Sequence, residues 1–125
     1  VPNYKYASAY KIRYNNLGKE IEKFEYGADG DLEKKYKYEY NSLGNLIKSY
    51  RYDSDGSLWM ESTYDDIGNI TKEETYEFGV ITFESTYTYE FDYDSNNNWI
   101  KKTTHRKMSK YGSSTEIEER IIEYY

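Results

Sequence analysis

The chain predicts an all-β fold: an antiparallel up-and-down β-meander of about nine or ten strands, built from hairpin repeats and curled into a barrel, a half-barrel or a two-layer sheet. Three observations carry this. A tyrosine followed four positions later by glycine recurs about every 12 to 14 residues, at Tyr14/Gly18, Tyr26/Gly30, Tyr40/Gly44, Tyr52/Gly56 and Tyr64/Gly68, with looser copies at Tyr76/Gly79 and Tyr93/Asn97. Gly and Asn tolerate positive φ, so each recurrence reads as one chain reversal. Between reversals the side chains alternate with period two, the mark of a strand. Finally, 18 Tyr, 4 Phe and 2 Trp supply the β propensity and apolar area that disordered chains lack.

The elements follow in order. In 32–40, Leu32, Lys34, Tyr36, Tyr38 and Tyr40 share one face, and Glu33, Lys35, Lys37 and Glu39 share the other. The same phase continues as Leu46, Lys48, Tyr50 and Tyr52, then Leu58, Met60, Ser62 and Tyr64, then Ile70, Lys72, Glu74 and Tyr76. A longer row runs Phe83, Ser85, Tyr87, Tyr89, Phe91 and Tyr93. Read in a single phase, these rows predict one tyrosine face and one charged face, with the tyrosine face covered by rolling, by folding over or by a second copy. The last segment, 115–125, alternates with Ile117, Ile121 and Tyr125 in phase and is expected to close the sheet as a final hairpin. Residues 1–125 read as a single domain.

The reversals are of two alternating kinds, so the true repeat is a hairpin of 24 to 26 residues. Tyr14-Asn-Asn-Leu-Gly18, Tyr40-Asn-Ser-Leu-Gly44 and Tyr64-Asp-Asp-Ile-Gly68 place an aliphatic residue before the glycine. Tyr26-Gly-Ala-Asp-Gly30 and Tyr52-Asp-Ser-Asp-Gly56 are polar there. Successive turns of a meander lie at opposite ends of the sheet, so one rim is apolar. Leu17, Ile21, Leu43, Ile47, Ile67 and Ile100 should line it, either capping the core or docking a partner.

Composition excludes several classes. A net charge of -6 gives no positive footprint for nucleic acid. No run of apolar residues is long enough to span a bilayer. The chain has no Cys and one His, no serine in a Gly-x-Ser-x-Gly elbow and no metal-spaced His/Cys set, which leaves little for nucleophilic catalysis. Asp92-x-Asp94-x-Asn96 begins like an oxygen-ligand calcium loop, but the twelfth position is Thr103 where a bidentate glutamate is needed. No cofactor is expected. The chain begins at Val1 instead of Met, as a processed or truncated product would.

The string Tyr52-Asp53-Ser54-Asp55-Gly56-Ser57-Leu58, followed by Tyr64-Asp65-Asp66-Ile67-Gly68-Asn69-Ile70, resembles the Tyr-Asp (YD or RHS) repeat, with pattern Tyr-Asp-x-x-Gly-x-Leu. The stretch from Tyr93 to Lys102 is similar to degenerate copies in exported proteins of gut Bacteroidetes. The likeness covers roughly residues 10 to 105. It departs where Tyr14 and Tyr40 are followed by Asn and Tyr26 by Gly, and the array is too short to enclose a cargo as long members do. The resemblance implies a β-meander in an exported setting, whether periplasmic, cell-surface or secreted.

The expected role is a non-enzymatic binding or structural module. Trp59 stands one place out of phase with Leu58, Met60 and Tyr64, so it should face outward and offer a stacking platform for a glycan or a protein. Trp99, in phase, should be buried. The rival is a small-ligand carrier or hydrolase with a site inside the rolled sheet among Tyr36, Tyr50, Tyr64 and Tyr89.

Overall fold

The computed structural model describes residues 9–125; residues 1–8, Pro2 among them, lie outside the described residues. Nine strands follow one another: β1 (Ala9–Tyr14), β2 (Glu20–Tyr26), β3 (Leu32–Tyr40), β4 (Leu46–Asp53), β5 (Leu58–Tyr64), β6 (Ile70–Glu77), β7 (Val80–Tyr93), β8 (Trp99–Met108) and β9 (Gly112–Glu119). They form one antiparallel sheet in sequence order. Each strand contacts only its sequence neighbours. Among the described residues β1 and β9 do not meet, so the sheet does not close into a barrel, and no second layer forms. The sheet is open.

The final hairpin forms, but its strand spans Gly112–Glu119 instead of running to Tyr125. Beyond it, the Arg120 amide donates to the Ile100 carbonyl, and the Tyr124 hydroxyl bonds the Asp94 carboxylate. The tail thus folds back against the start of β8.

Six of the reversals share one backbone solution. The residue after the tyrosine exchanges hydrogen bonds with the residues three and four positions on, as in Asn41 N–H to the Asn45 carbonyl at 2.9 Å and Gly44 N–H to the Asn41 carbonyl at 3.0 Å. The residue that closes the turn must adopt positive φ. Gly44 stands at 83°, and Asn97 takes the same conformation at 62°. Asn does so because its short polar side chain tolerates the left-handed region.

A second feature is invisible in the tyrosine spacing. Every pairing from β1·β2 to β7·β8 slips by one residue just after the turn. In β3·β4, Glu39 faces Lys48 while Tyr40 faces Leu46, so Ile47 is the extra residue of a β-bulge. Its equivalents are Ile21, Glu33, Trp59, Thr71, Thr82 and Ile100. Two of them partly mend the ladder: the Thr71 and Thr82 hydroxyls each donate to a facing-strand carbonyl, of Thr63 and Thr75, at 3.3 Å.

The bulge corrects the expectation of a single tyrosine face. An inserted residue sends every later side chain of a strand to the opposite side. Tyr36 and Tyr38 share their side with Arg51 and Ser49, which pair with them. Tyr50 and Tyr52 pair with Lys37 and Lys35 and so lie on the other side. We call the Tyr36 side the front. Tyr10, Tyr64, Tyr87 and Tyr89 belong to it, and Tyr76 joins Tyr50 on the back. From β1 to β7 the aromatic rows alternate from face to face, strand by strand, and Trp99 of β8 shares the front with Phe91 and Tyr93.

This explains the absence of a core. Among the described residues no hydrophobic side chain is buried, and only Ser62 and Ser85 are. Apolar material spread over two faces is instead covered by charged neighbours. Lys23 caps the rings of Tyr10 and Tyr36, Lys35 those of Phe24 and Tyr52, and Lys102 those of Tyr89 and Phe91. Such cross-strand pairs contribute roughly 0.2–1 kcal/mol each, so the sheet is held by many small terms. Tyrosine suits this role because its ring packs while its hydroxyl reaches a carboxylate. Tyr36 donates to Glu25, Tyr50 to Glu39, Tyr76 to Glu61 and Tyr87 to Glu73.

Candidate functional site: an aromatic groove at one end of the sheet

Trp59 occupies the bulge of β5 and is 37% exposed. An open groove of about 480 Å³ lies beside it, lined by Asp53, Asp55, Ser57, Leu58, Trp59, Tyr76, Glu77 and Phe78. Three elements build it: the end of β4 with its turn, the start of β5, and the β6·β7 hairpin. The Arg51 guanidinium stands 5.9 Å from the Trp59 ring centroid and 5.7 Å from that of Tyr36.

Phe78 is the residue that sequence reasoning missed. The β6·β7 connection has only two residues, Phe78 and Gly79, between the paired Glu77 and Val80. Their φ values are 51° and 76°, and two-residue hairpins of this kind require positive φ at both positions. Gly79 meets that freely. A phenylalanine there is an outlier, costing on the order of 1–3 kcal/mol, and its ring is fully exposed. The spacing Tyr76/Gly79 reads as a shortened repeat. The available signal was a bulky aromatic directly before the glycine, where Asn or Asp is the usual choice.

The chemistry of the groove is aromatic faces beside oxygen acceptors. Asp55 accepts from the Ser57 amide at 2.9 Å and the Ser57 hydroxyl at 2.5 Å, which holds its carboxyl below the usual range. It stays an acceptor in mildly acid solution. The Tyr76 phenol is pushed up to about 12, first by partial burial and then by Glu74 and Glu61. It donates at 3.2 Å to the Glu61 carboxylate on the back of the sheet, away from the Trp59 ring, which lies by Arg51 on the front.

The remaining expected positions are dispersed. Leu17, Leu43 and Ile67 do stand together along one end of the sheet, opposite the groove. They do not cap a core: they are 78%, 84% and 74% exposed at the turn tips. Ile21, Ile47 and Ile100 occupy bulges at the same end, the first two half-buried. Trp99 is half-buried instead of buried, with the Arg120 guanidinium 3.7 Å from its centroid. Tyr36, Tyr64 and Tyr89 share the front and Tyr50 lies on the back, so these four tyrosines line no common site. His105 is hydrogen-bonded to Thr115 at 3.1 Å and lies 3.7 Å from the Glu90 carboxylate. The Asp94 carboxylate accepts from the Asn96 and Asn98 amides and from Tyr124. Its pKa is lowered, chiefly by Tyr124, and its work is to hold the turn and the tail.

No family model and no curated protein matches the chain. Among solved structures it is similar to a DUF3836 family protein from Parabacteroides distasonis, at 18% identity over 90% of each chain with a TM-score of 0.31. A likeness that distant carries no argument about what this chain does. No helix of the described residues is long and apolar enough to cross a membrane.

Proposed function

We propose that this protein is a non-enzymatic binding module of an exported or cell-surface bacterial protein, and that its groove takes a glycan. The observation that carries this is the groove itself: the Trp59 and Phe78 rings beside Asp53, Asp55 and Glu77. A sugar ring offers an apolar face for stacking and equatorial hydroxyls for carboxylates, and both kinds of partner are present. An open groove admits a chain in passing, whereas an enclosed pocket would demand a chain end. The strain at Phe78 supports the same reading, since an exposed aromatic held at positive φ is a cost without return unless the ring meets something. The exported setting rests on the resemblance to Tyr-Asp repeats.

The test is a titration of the protein with a panel of host and bacterial polysaccharides, followed by tryptophan fluorescence and amide NMR shifts. Saturable shifts centred on Trp59 and Phe78 are expected. Trp59→Ala should weaken binding by at least tenfold, about 1.4 kcal/mol, with the fold intact. Retention of both binding and fold in that variant would sink the assignment.

A second reading rests on the opposite end, where Leu17, Leu43 and Ile67 stand two strands apart in a row, about 10 Å from one to the next. Such a row suits a protein partner. NMR shifts confined to those turns, with a silent groove, would favour it.

A further inference from the structure

We infer that the two edges of the sheet are complementary surfaces through which copies of this chain add head to tail. β1 and β9 are exposed at every residue, and no described strand pairs with the outer edge of either. Open edges are templates for further pairing unless something blocks them. Here they carry charges of opposite sign: Lys11 and Arg13 on β1, Glu116 and Glu118 on β9.

The symmetry of the sheet fixes how these charges meet. One step across the sheet reverses strand direction. Nine strands are an odd number, so a tenth continuing the pattern runs antiparallel to β9. A second copy can supply β1 in that place only if it is turned over, which brings its back to the front. On β1, Lys11 lies on the back and Tyr10 and Ile12 on the front, by their pairing with Phe24, Glu25 and Lys23. On β9, Glu116 and Glu118 lie on the front, opposite Thr104 and Lys102, and Ile117 lies on the back opposite Thr103.

The added β1 therefore sets Lys11 and Arg13 against Glu116 and Glu118 on one side. On the other it sets Tyr10 and Ile12 against Ile117. On one side ion meets ion, and on the other Tyr10 and Ile12 meet Ile117, with Glu119 on that side only at the end of β9. The two-fold alternatives do not match, since joining β9 to β9 leaves Glu116 and Glu118 facing their own copies and joining β1 to β1 does the same to Lys11 and Arg13. A joint between two different edges leaves a free edge of each kind, so assembly continues past the dimer.

Sedimentation velocity of the full chain across the micromolar to millimolar range tests this. Species larger than a dimer should grow with concentration and shrink as salt screens the charges. Glu116→Lys with Glu118→Lys, and separately Lys11→Glu with Arg13→Glu, should each weaken association by roughly tenfold or more. Mixing the two variants should restore it, because each then offers the charge the other lacks. Circular dichroism checks that both variants keep their strands, since Arg13 also bonds Glu22 at 3.2 Å and Glu118 stands opposite Lys102 within the sheet. A monomer at every concentration, assembly that stops at the dimer, or a mixture no more associated than its parts would each overturn the inference.

Discussion

The two ends of the sheet are built from one backbone turn but stabilised by different residues. At the end with Leu17, Leu43 and Ile67, the side chain directly after the tyrosine accepts twice: Asn41 Oδ1 takes the amides of Leu43 and Asn45, each at 3.0 Å, and Asn15, Asp65 and Asp94 repeat this. At the groove end the acceptor stands two places later and takes one amide, as Asp29 does from Asp31 at 3.1 Å. Moving the acceptor frees the first position, which explains how Gly27 can follow Tyr26. It also decides which end is tied down and which can vary. The doubly held turns repeat closely, three of the four with an aliphatic at the tip and the Asp94 turn with Asn96 there, and the singly held end has been remodelled into the strained Phe78-Gly79 hairpin and the groove.

Both ends hang on the tyrosines between them, and the largest expected effect removes that support. Tyr38, Tyr50 and Tyr76 are each pushed from 10.0 to about 12, by partial burial first and then by Glu20, Glu39 and Glu74 respectively. Their phenols are protonated in the sheet at a pH where the unfolded chain has begun to release them. The stability this lends is complete below pH 10 and is lost as the pH rises through the folded values near 12. Urea midpoints should fall steadily across that window, in step with tyrosinate absorbance. An unchanged midpoint up to the top of the window would mean that the phenol to carboxylate pairs do not matter to either end.

Next in size comes the difference between the turns. Asn41→Ala strips two amides of their acceptor and should cost about 1–2 kcal/mol, while Asp29→Ala strips one and should cost about half as much. Equal urea unfolding losses for the two variants would break the contrast between the ends. The opposite sign is expected at the groove. Phe78→Asn puts the favoured residue at a position of positive φ and should stabilise by about 0.5–1 kcal/mol while weakening glycan binding. A variant that loses stability would show that the ring contributes more in packing than its backbone costs.

Strand number, turn positions and the two alternating turn kinds were legible in the sequence, because Tyr, Gly and the Asn or Asp acceptor each do a job that few residues can do. The faces were not legible. A bulge is made by the backbone, and the residues that occupy it, Ile21, Glu33, Ile47, Trp59, Thr71, Thr82 and Ile100, are mostly β-branched like any strand residue, so no residue type marks the slip. Reading Tyr40 and Leu46 in one phase was right for that pair and wrong for Lys48 onward. The candidate site was half legible for the same reason. Trp59 stood out as a residue type out of phase, whereas Phe78 matters through its backbone conformation, and Asp53 comes near it only through the pairing of β4, β5 and β6.

The smallest effect concerns the aliphatic tips, and its smallness is what gives it meaning. If Leu17, Leu43 and Ile67 helped to hold their turns, replacing them would cost stability as other apolar truncations do. At 74% to 84% exposure they have little to lose, and the amides of Leu43 and Ile67 donate whatever the side chain is. The triple change Leu17→Ser, Leu43→Ser and Ile67→Ser should therefore shift unfolding by less than about 0.5 kcal/mol per site. A near-zero result leaves the row of aliphatics without a structural task and strengthens the case for a partner at that end. A loss well above that figure at even one site would mean that the tips pack on the turns after all, and the contrast between a tied-down end and a variable one would then rest on apolar contact as well as on the Asn and Asp acceptors.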